Sequence, residues 1–407
     1  MRDYSKLTVT EKAEFSIKKG HPWVYGEEIV SVDKPYTNGE IVDVVSKKGK
    51  WLGSGFVNDN SKIRVRIISD NTNDKFDEAF WTRRIKYAVE YRKTVMPGDD
   101  FKCCRLIFGE ADRFPGLTVD RFENVLVVQI LSLGIEMIKD TILNAIVNIM
   151  NEMGETIDCV YERNDVNVRR LEGLTEYKDF YMNHGSREKC DGIVRICENG
   201  IFYDVDFING QKTGYFLDQK YNRASVARIA SGKRVLDCFT HTGAFALNAA
   251  RAGADRVTAI DISEDAINMT KKNAEINNLT SNMDFVCADV FDYLTDAVAN
   301  KNSDYDFIIL DPPAFTKSRS TVKDAYRGYK EINLKAMRLL PRGGYLATCS
   351  CSHFMPPELF ERMLDDAAHD AKVNLRQIEA RQQSPDHPIL RGVPETEYLK
   401  FYLFQVV

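Results

Sequence analysis

Acidic side chains recur through the C-terminal half of this chain wherever an apolar run gives out. Asp237 opens the segment Asp237-Cys238-Phe239-Thr240-His241-Thr242-Gly243, Asp261-Ile262 ends the next apolar run, and Ala288-Asp289-Val290 follows a third. A carboxylate at the second position suits the two hydroxyls of a ribose, and one at the third can accept from an adenine amino group. Gly243 lets a ligand come close to the backbone. No G-x-G-x-x-G is present, so nothing in the sequence cradles a pyrophosphate. That weighs against a nicotinamide dinucleotide and favours an adenosine ligand without phosphates.

S-adenosylmethionine meets that description. Any one of the acids alone would be a strand end or a helix cap; three in order favour a ligand. Cofactor contacts are expected from Asp237, Phe239, Thr240, Thr242, Gly243, Asp261, Ile262, Asp289 and Val290. Upstream, the polar, Gly-punctuated stretch Asn209-Gly210-Gln211-Lys212-Thr213-Gly214-Tyr215-Phe216-Leu217-Asp218-Gln219 is expected to fold across the pocket. Phe216, Asp218 and Gln219 would then help hold the cofactor; an ordered interdomain turn is the alternative.

Two further segments carry chemistry. In Asp311-Pro312-Pro313-Ala314-Phe315 the prolines fix the backbone and remove two N–H donors, leaving a stiff loop with exposed carbonyls. Such a loop can hold a planar base while Phe315 stacks on it, with Asp311 at the junction of cofactor and base; a ligand-free rigid turn is the other reading. Thr348-Cys349-Ser350-Cys351-Ser352-His353 places two cysteines in alternation. Cytosine C5 is a poor nucleophile, but a thiolate adding at C6 activates it for methyl transfer and loss of the C5 proton. The more distal Cys351 is the candidate nucleophile, against two ordinary core cysteines. His353 as base is the weaker idea, because a strand-end histidine is often structural.

These residues need a scaffold that brings strand ends together. From Gly232 onward, strands (Arg234–Cys238, Val257–Ile260, Phe285–Cys287, Asp306–Leu310, Gly344–Cys349) alternate with helical segments, including one after Ser263 as N-cap. Such alternation specifies a mostly parallel sheet covered on both faces, with ligands at the carboxyl ends of the strands. Tyr398–Val406 closes it as a last strand. Residues 1 to about 70 instead read as short strands forming a small β-barrel. In Ser61–Ile68, apolar and basic residues alternate, putting Lys62, Arg64 and Arg66 on one face, either for RNA contact or simply for solvent. Phe76–Arg92 reads as a linker helix ahead of an α+β middle domain. The expected division is 1–72, 73–190 and 191–407.

With 44% hydrophobic and 28% charged residues over 407 positions, the chain has ample core material for two or three domains. No apolar run is long enough to span a membrane, and no signal or transit pattern is present, so the cytoplasm is the expected compartment. The nine cysteines show no disulfide framework and no zinc spacing, and no metal is expected. A net charge of −5 is no nucleic-acid footprint, yet twelve Lys/Arg against ten Asp/Glu over residues 1–70 leave room for a local basic face.

Taken together these segments resemble the bacterial large-subunit ribosomal RNA cytosine-C5 methyltransferases, which join an N-terminal PUA domain to a class I (Rossmann-like) methyltransferase domain. The resemblance runs over nearly the whole chain. Gly20-His21-Pro22-Trp23-Val24-Tyr25 and Ser61–Arg66 mark the PUA-like barrel; Phe108–Leu117 and Arg169–Leu174 mark the middle domain. Gly210–Gln219, Asp237–Gly243, Asp311–Phe315, Ser350-Cys351-Ser352, Asp386-His387-Pro388 and Tyr398-Leu399-Lys400 complete it. It implies S-adenosylmethionine as cofactor and ribosomal RNA or a precursor particle as partner. Cys351 is implied as nucleophile, and Asp237, Asp261, Asp289 and Asp311 as cofactor and base positions. Pro312, Pro313, Phe315, Lys62, Arg64 and Arg66 are the expected substrate contacts, and a homodimer is left open. Related enzymes with two catalytic cysteines carry one in the fourth-strand loop; here Pro313 and Ala314 stand instead, so release needs another route. Methylation of another base (guanine N7, already nucleophilic) or a non-catalytic assembly role are the alternatives.

Overall fold

The computed structural model describes residues 3–181, 190–300 and 304–407. They gather into two compact units: Met1–Ile196 with Asp204–Leu217 and Pro385–Thr396, and Cys197–Tyr203 with Asp218–Ser384 and Glu397–Val407.

The first unit opens with a six-stranded sheet in the order Trp23–Tyr25, Ile63–Ser69, Trp51–Val57, Ile41–Ser46, Lys6–Val9, Ile29–Val32. Alternating β-branched residues turn one face inward, where Leu7, Val9, Val42, Val44, Val65 and Ile67 form a core. Gly55 is required there, since a Cβ would stand 2.1 Å from the Arg66 carbonyl oxygen. Lys62, inside the expected strand Ser61–Ile68, falls just outside the observed one, Ile63–Ser69. A five-stranded sheet follows (Tyr177–Phe180, Cys159–Asn164, Val125–Ile130, Leu117–Phe122, Cys103–Phe108). The expected linker helix is present as Glu78–Val95, capped by Asp77, which accepts from the Phe80 amide at 2.9 Å. It is no spacer, however. Phe80, Trp81, Ile85, Ala88 and Val89 are buried, and so is Arg92, which forms a bidentate pair with Asp112 at 2.6 and 2.7 Å.

That packing explains why the division differs from the expected one. The first two expected domains form one unit, and two later segments join them. Thr213 donates to Asp120 at 2.6 Å, and Asp386 accepts from the Arg105 amide at 2.8 Å while its carbonyl accepts from Arg92 at 2.9 Å. Phe216 therefore belongs to the first unit, whereas Asp218 and Gln219 belong to the second.

The second unit holds strands β1 (Arg234–Cys238), β2 (Arg256–Asp261), β3 (Met283–Cys287), β4 (Phe307–Leu310), β5 (Tyr345–Ser350), β6 (Leu375–Arg381) and β7 (Lys400–Val406). Their order is β3-β2-β1-β4-β5-β7-β6. The first five are parallel, and β7 runs antiparallel to both β5 and β6. The helices are α1 (Lys220–Ala230), α2 (Ala244–Arg251), α3 (Glu264–Ile276), α4 (Val290–Ala299), α5 (Val322–Leu339) and α6 (Pro357–Ala371). β4, wholly apolar, is buried throughout, as a central parallel strand must be. Leu236, Ile308, Leu310, Tyr329, Ile332 and Phe360 lie in the core between sheet and helices. The strand order reverses between β1 and β4, which opens a crevice at their carboxyl ends. The expected site lies there.

Candidate active site

The β1 turn is built around one carboxylate. Asp237 is buried; its Oδ2 accepts from Thr240 Oγ1 at 2.6 Å and from the Ala246 amide in the first turn of α2 at 3.0 Å. Its Oδ1 is buried without a hydrogen-bond partner. Burial, with Asp311 and Asp261 nearby, pushes this carboxyl up to about 7. Phe239 and His241 both hold positive φ, +64° and +51°, and Gly243 stands at +83°. Such backbone persists only where its surroundings enforce it. α3 does so: Thr270 donates to the His241 carbonyl at 2.9 Å and Asn273 to the Thr242 carbonyl at 3.0 Å. A Cβ on Gly243 would sit 2.5 Å from Thr270 Cγ2, so the cradle is shaped for glycine.

At the next strand end Asp261 accepts from the His241 amide at 2.9 Å and from the Ser263 amide at 3.0 Å, one bond to each oxygen. Each oxygen keeps a further lone pair. Ile262 beside it is 68% exposed, an aliphatic side chain left on a polar rim. Asp289 is the N-cap of α4, accepting from Phe291 N at 2.7 Å through Oδ1. The Val290 side chain lies in the core, so only its backbone is available to a ligand.

The rim between β4 and β5 gathers the remaining residues. Gln219 Nε2 donates to Asp311 at 3.0 Å, and the Tyr398 hydroxyl donates to Asp218 at 2.6 Å. Burial and the nearby Asp218 charge push Asp311 up to about 6. Cys349 is fully buried beside Asp311 and Gln219, and burial lifts its thiol well above the ordinary range. Cys351, one step past the end of β5, is half-exposed. Both of its neighbours are tied down. Ser350 donates to the Tyr329 hydroxyl at 3.0 Å, and Ser352 to the Thr316 carbonyl at 2.8 Å. Lys400, opposite Ser350 in the β5–β7 register, donates from Nζ to the carbonyls of Ser352 at 2.6 Å and Tyr398 at 2.8 Å.

Two expectations change here. Phe315 packs its ring against Tyr329, at 4.5 Å between centroids, and against Phe291 at 5.8 Å, because an aromatic ring gains more from burial than from waiting exposed. In this structure it anchors the loop, with Pro312 buried and Pro313 exposed at its outer edge. In the first unit, Arg66 donates to Glu172 at 2.8 Å and Glu110 at 3.3 Å and lies over Trp23, Arg64 pairs with Asp59, and of the three Lys62 alone is exposed. The basic strand face is largely neutralised by its own neighbours.

Similarity to known proteins joins the two units to one family. Residues 7–70 match the PUA-like domain and residues 178–405 the S-adenosylmethionine-dependent methyltransferase family. A ribosomal RNA large subunit methyltransferase I of Klebsiella pneumoniae subsp. pneumoniae is 37% identical over 406 residues, with 99% of each chain covered. One from Escherichia coli (strain SMS-3-5 / SECEC) is 36% identical over 403 residues, again with 99% of both covered. The chain belongs to the ribosomal RNA large subunit methyltransferase I family. Its fold matches a solved methyltransferase in complex with SAH at a TM-score of 0.83 and 23% identity, covering 98% of this chain and 100% of that one. A solved methyltransferase from Streptococcus mutans matches at 0.81 and 24% identity, with the same coverage.

As a member of this family the chain is an S-adenosylmethionine-dependent methyltransferase, and its rim fits that group. The cofactor is positively charged at sulfur, and the rim offers a buried, unpartnered carboxylate oxygen on Asp237, a Cβ-free cradle at Gly243 and an exposed aliphatic at Ile262. Among the described residues no group of three or more His, Cys, Asp or Glu side chains could hold a metal, and no helix is long and apolar enough to cross a membrane. Sequence reasoning missed Thr270, Asn273 and Tyr329 as parts of the site, because helical spacing marks all three as ordinary core positions. Tyr398 and Lys400 were visible only as family positions.

Proposed function

We propose that this chain forms 5-methylcytosine in large-subunit ribosomal RNA, with Cys351 as the nucleophile. One observation carries the reading: of two alternating cysteines at the end of β5, Cys349 is buried with a thiol far from ionisation, whereas Cys351 is half-exposed and held on both sides. The relatives' name, which specifies large-subunit ribosomal RNA, supports the substrate class.

When bound, S-adenosylmethionine supplies an electrophilic methyl group. Asp261 would hold its ribose, Asp237 and Gly243 would receive it at the β1 turn, and Ile262, Asp289 and the Val290 backbone would border its adenine. The Cys351 sulfur adds to C6 of cytosine, which makes C5 nucleophilic. Asp311, with a carboxyl pushed up to about 6, is suited to hold a proton toward the ring nitrogen that gains electron density in that step. After methylation the C5 proton leaves, the C5–C6 double bond re-forms and the thiolate is expelled. Gln219 keeps Asp311 placed and the Asp218 charge favours its protonated form, while Pro312 and Pro313 stiffen the loop below the base. Of Lys62, Arg64 and Arg66 on the first unit, Lys62 is the one left available to a phosphate.

Mass spectrometry of nucleosides from large-subunit RNA of a deletion strain tests this. Loss of one 5-methylcytidine, restored by the wild-type gene, is the expected result. Loss of 7-methylguanosine instead, or no loss at all, would sink the assignment.

A further inference from the structure

We propose that Lys400 is a positioning residue for Cys351: it fixes the Cys351-Ser352 turn to β7 and sets a buried positive charge beside the sulfur. The inference deepens the nucleophile reading given above and rests on it.

Lys400 opens β7 directly across from Ser350, and only 4% of it is exposed. Two of its three N–H donors point at carbonyls, one on the residue after Cys351. Ser352 in turn reaches the Thr316 carbonyl at 2.8 Å, so a single ammonium ties β7 to the β5 turn and through it to the Asp311–Phe315 loop. Among the described residues Lys400 has no carboxylate ion pair. A buried ammonium without one is costly, and a lysine kept at such a position has another use for its charge. Burial pulls its ammonium down to about 8, opposed by Cys351 and Glu397 as the nearby acidic groups. On the other side, Cys351 bears on Tyr329 from α5 and on Cys349 from β5, and Asp311 bears on both of these. All of those neighbours are acidic groups that oppose a thiolate. Lys400 is the cation coupled to Cys351 itself; Arg223, paired with Glu198 at 2.6 Å, acts on Asp311.

The charge serves both ends of the reaction. It favours the thiolate that attacks C6. It also stabilises the same thiolate on release, when the sulfur–C6 electron pair returns to sulfur, the C5–H pair forms the C5–C6 double bond and the proton passes to water. Release is where this chain lacks a second cysteine, having Pro313 and Ala314 in the fourth-strand loop.

The test compares the full-length enzyme with Lys400→Gln, which keeps donors for the two carbonyls but removes the charge, and with Lys400→Arg, which keeps the charge. Iodoacetamide labelling of Cys351 is followed by peptide mass spectrometry from pH 6 to 10, together with turnover on unmodified large-subunit RNA. In Lys400→Gln the labelling midpoint is expected to rise by about one pH unit or more. Its kcat at pH 7 should fall about 10-fold or more and recover partly at pH 9, with the RNA KM unchanged; Lys400→Arg should restore the midpoint. An unchanged labelling profile in folded Lys400→Gln overturns the proposal. Should Lys400→Gln not fold, a Lys400→Arg profile displaced upward from wild type overturns it equally. A shifted profile with a fully active Cys351→Ala enzyme leaves the electrostatic effect standing and removes the nucleophile reading instead.

Discussion

Charge is arranged in opposite ways in the frame of the first unit and on the rim of the second. In the first, buried and half-buried cations meet acids directly: Arg92 with Asp112, Arg105 with Asp120 at 2.6 Å, Arg169 with Glu136 at 3.0 Å and Arg66 with Glu172 at 2.8 Å. On the rim of the second, Asp237 and Asp311 are pushed up to about 7 and about 6, and other acids contribute to both shifts. Paired charge builds scaffold, and removing one partner exposes the other to burial alone. Crowded like charge is a standing cost that a cationic ligand can relieve. The contrast separates site from frame without reference to any relative.

The largest expected effect lies on the rim. Cys351→Ala should lower turnover by at least about 10³-fold while S-adenosylmethionine affinity, measured by calorimetry, stays within about twofold. Cys349→Ala, two residues earlier and inside β5, should keep most activity and cost only the stability of a small buried side chain. Equal losses from both would erase the distinction between them. Asp261→Ala comes next. Removing hydrogen bonds to a charged group should weaken cofactor binding about 10- to 100-fold; calorimetry giving wild-type affinity would remove Asp261 from the cofactor site.

The two regions should also answer pH in opposite senses. Asp237 and Asp311 have folded-state values raised above those of the unfolded chain, so the folded form holds protons that the unfolded form has released. Their contribution therefore worsens as pH rises from about 4 to about 7. Asp237→Asn should flatten that slope in cofactor-free melting curves, and saturating S-adenosylmethionine should recover the stability lost in wild type at pH 8. Glu172 is the reverse case. Its burial raises the carboxyl, but Arg66 and neighbouring donors outweigh that and hold it below the usual range. Its stabilising contribution is present above the ordinary carboxylate value and lost as pH falls through the lowered one. Identical pH slopes for Asp237→Asn and Glu172→Gln would collapse the comparison.

Much of the rim was legible because each acid ends an apolar strand, and a parallel sheet puts those ends side by side. That Cys351 is less buried than Cys349 was legible from its place farther along the strand. The supports were not. Tyr329, Thr270 and Asn273 sit on buried helix faces where spacing predicts only packing, and the bonds they make are set by tertiary approach. β6 was missed because most of Leu375–Arg381 is exposed, which leaves no inward stripe to read. The membership of Thr213 and Asp386 in the first unit goes with long-range hydrogen bonds, from Thr213 to Asp120 and from Arg105 and Arg92 to Asp386, that no local spacing signals. The alternation of Ser61–Ile68 put Arg64 and Arg66 in one strand but said nothing of the acids, Glu110 and Glu172, that arrive far along the chain to meet Arg66.

That last point yields the smallest effects and the finest test of the contrast. Arg66→Ala strands Glu110 and Glu172, so it should cost about 3 kcal/mol of stability, read as a lowered melting temperature. Its effect on RNA affinity should follow from that loss and not from phosphate contact. Lys62→Ala removes an exposed cation that makes no ion pair among the described residues, and should leave the stability within about 0.5 kcal/mol of wild type. If Lys62 meets a phosphate, the slope of log affinity against log salt should fall by about one in that variant. An unchanged slope makes Lys62 a solvated side chain. An Arg66→Ala protein of wild-type stability and flattened salt dependence would instead move Arg66 from frame to site, and with it the rule that a paired cation is scaffold.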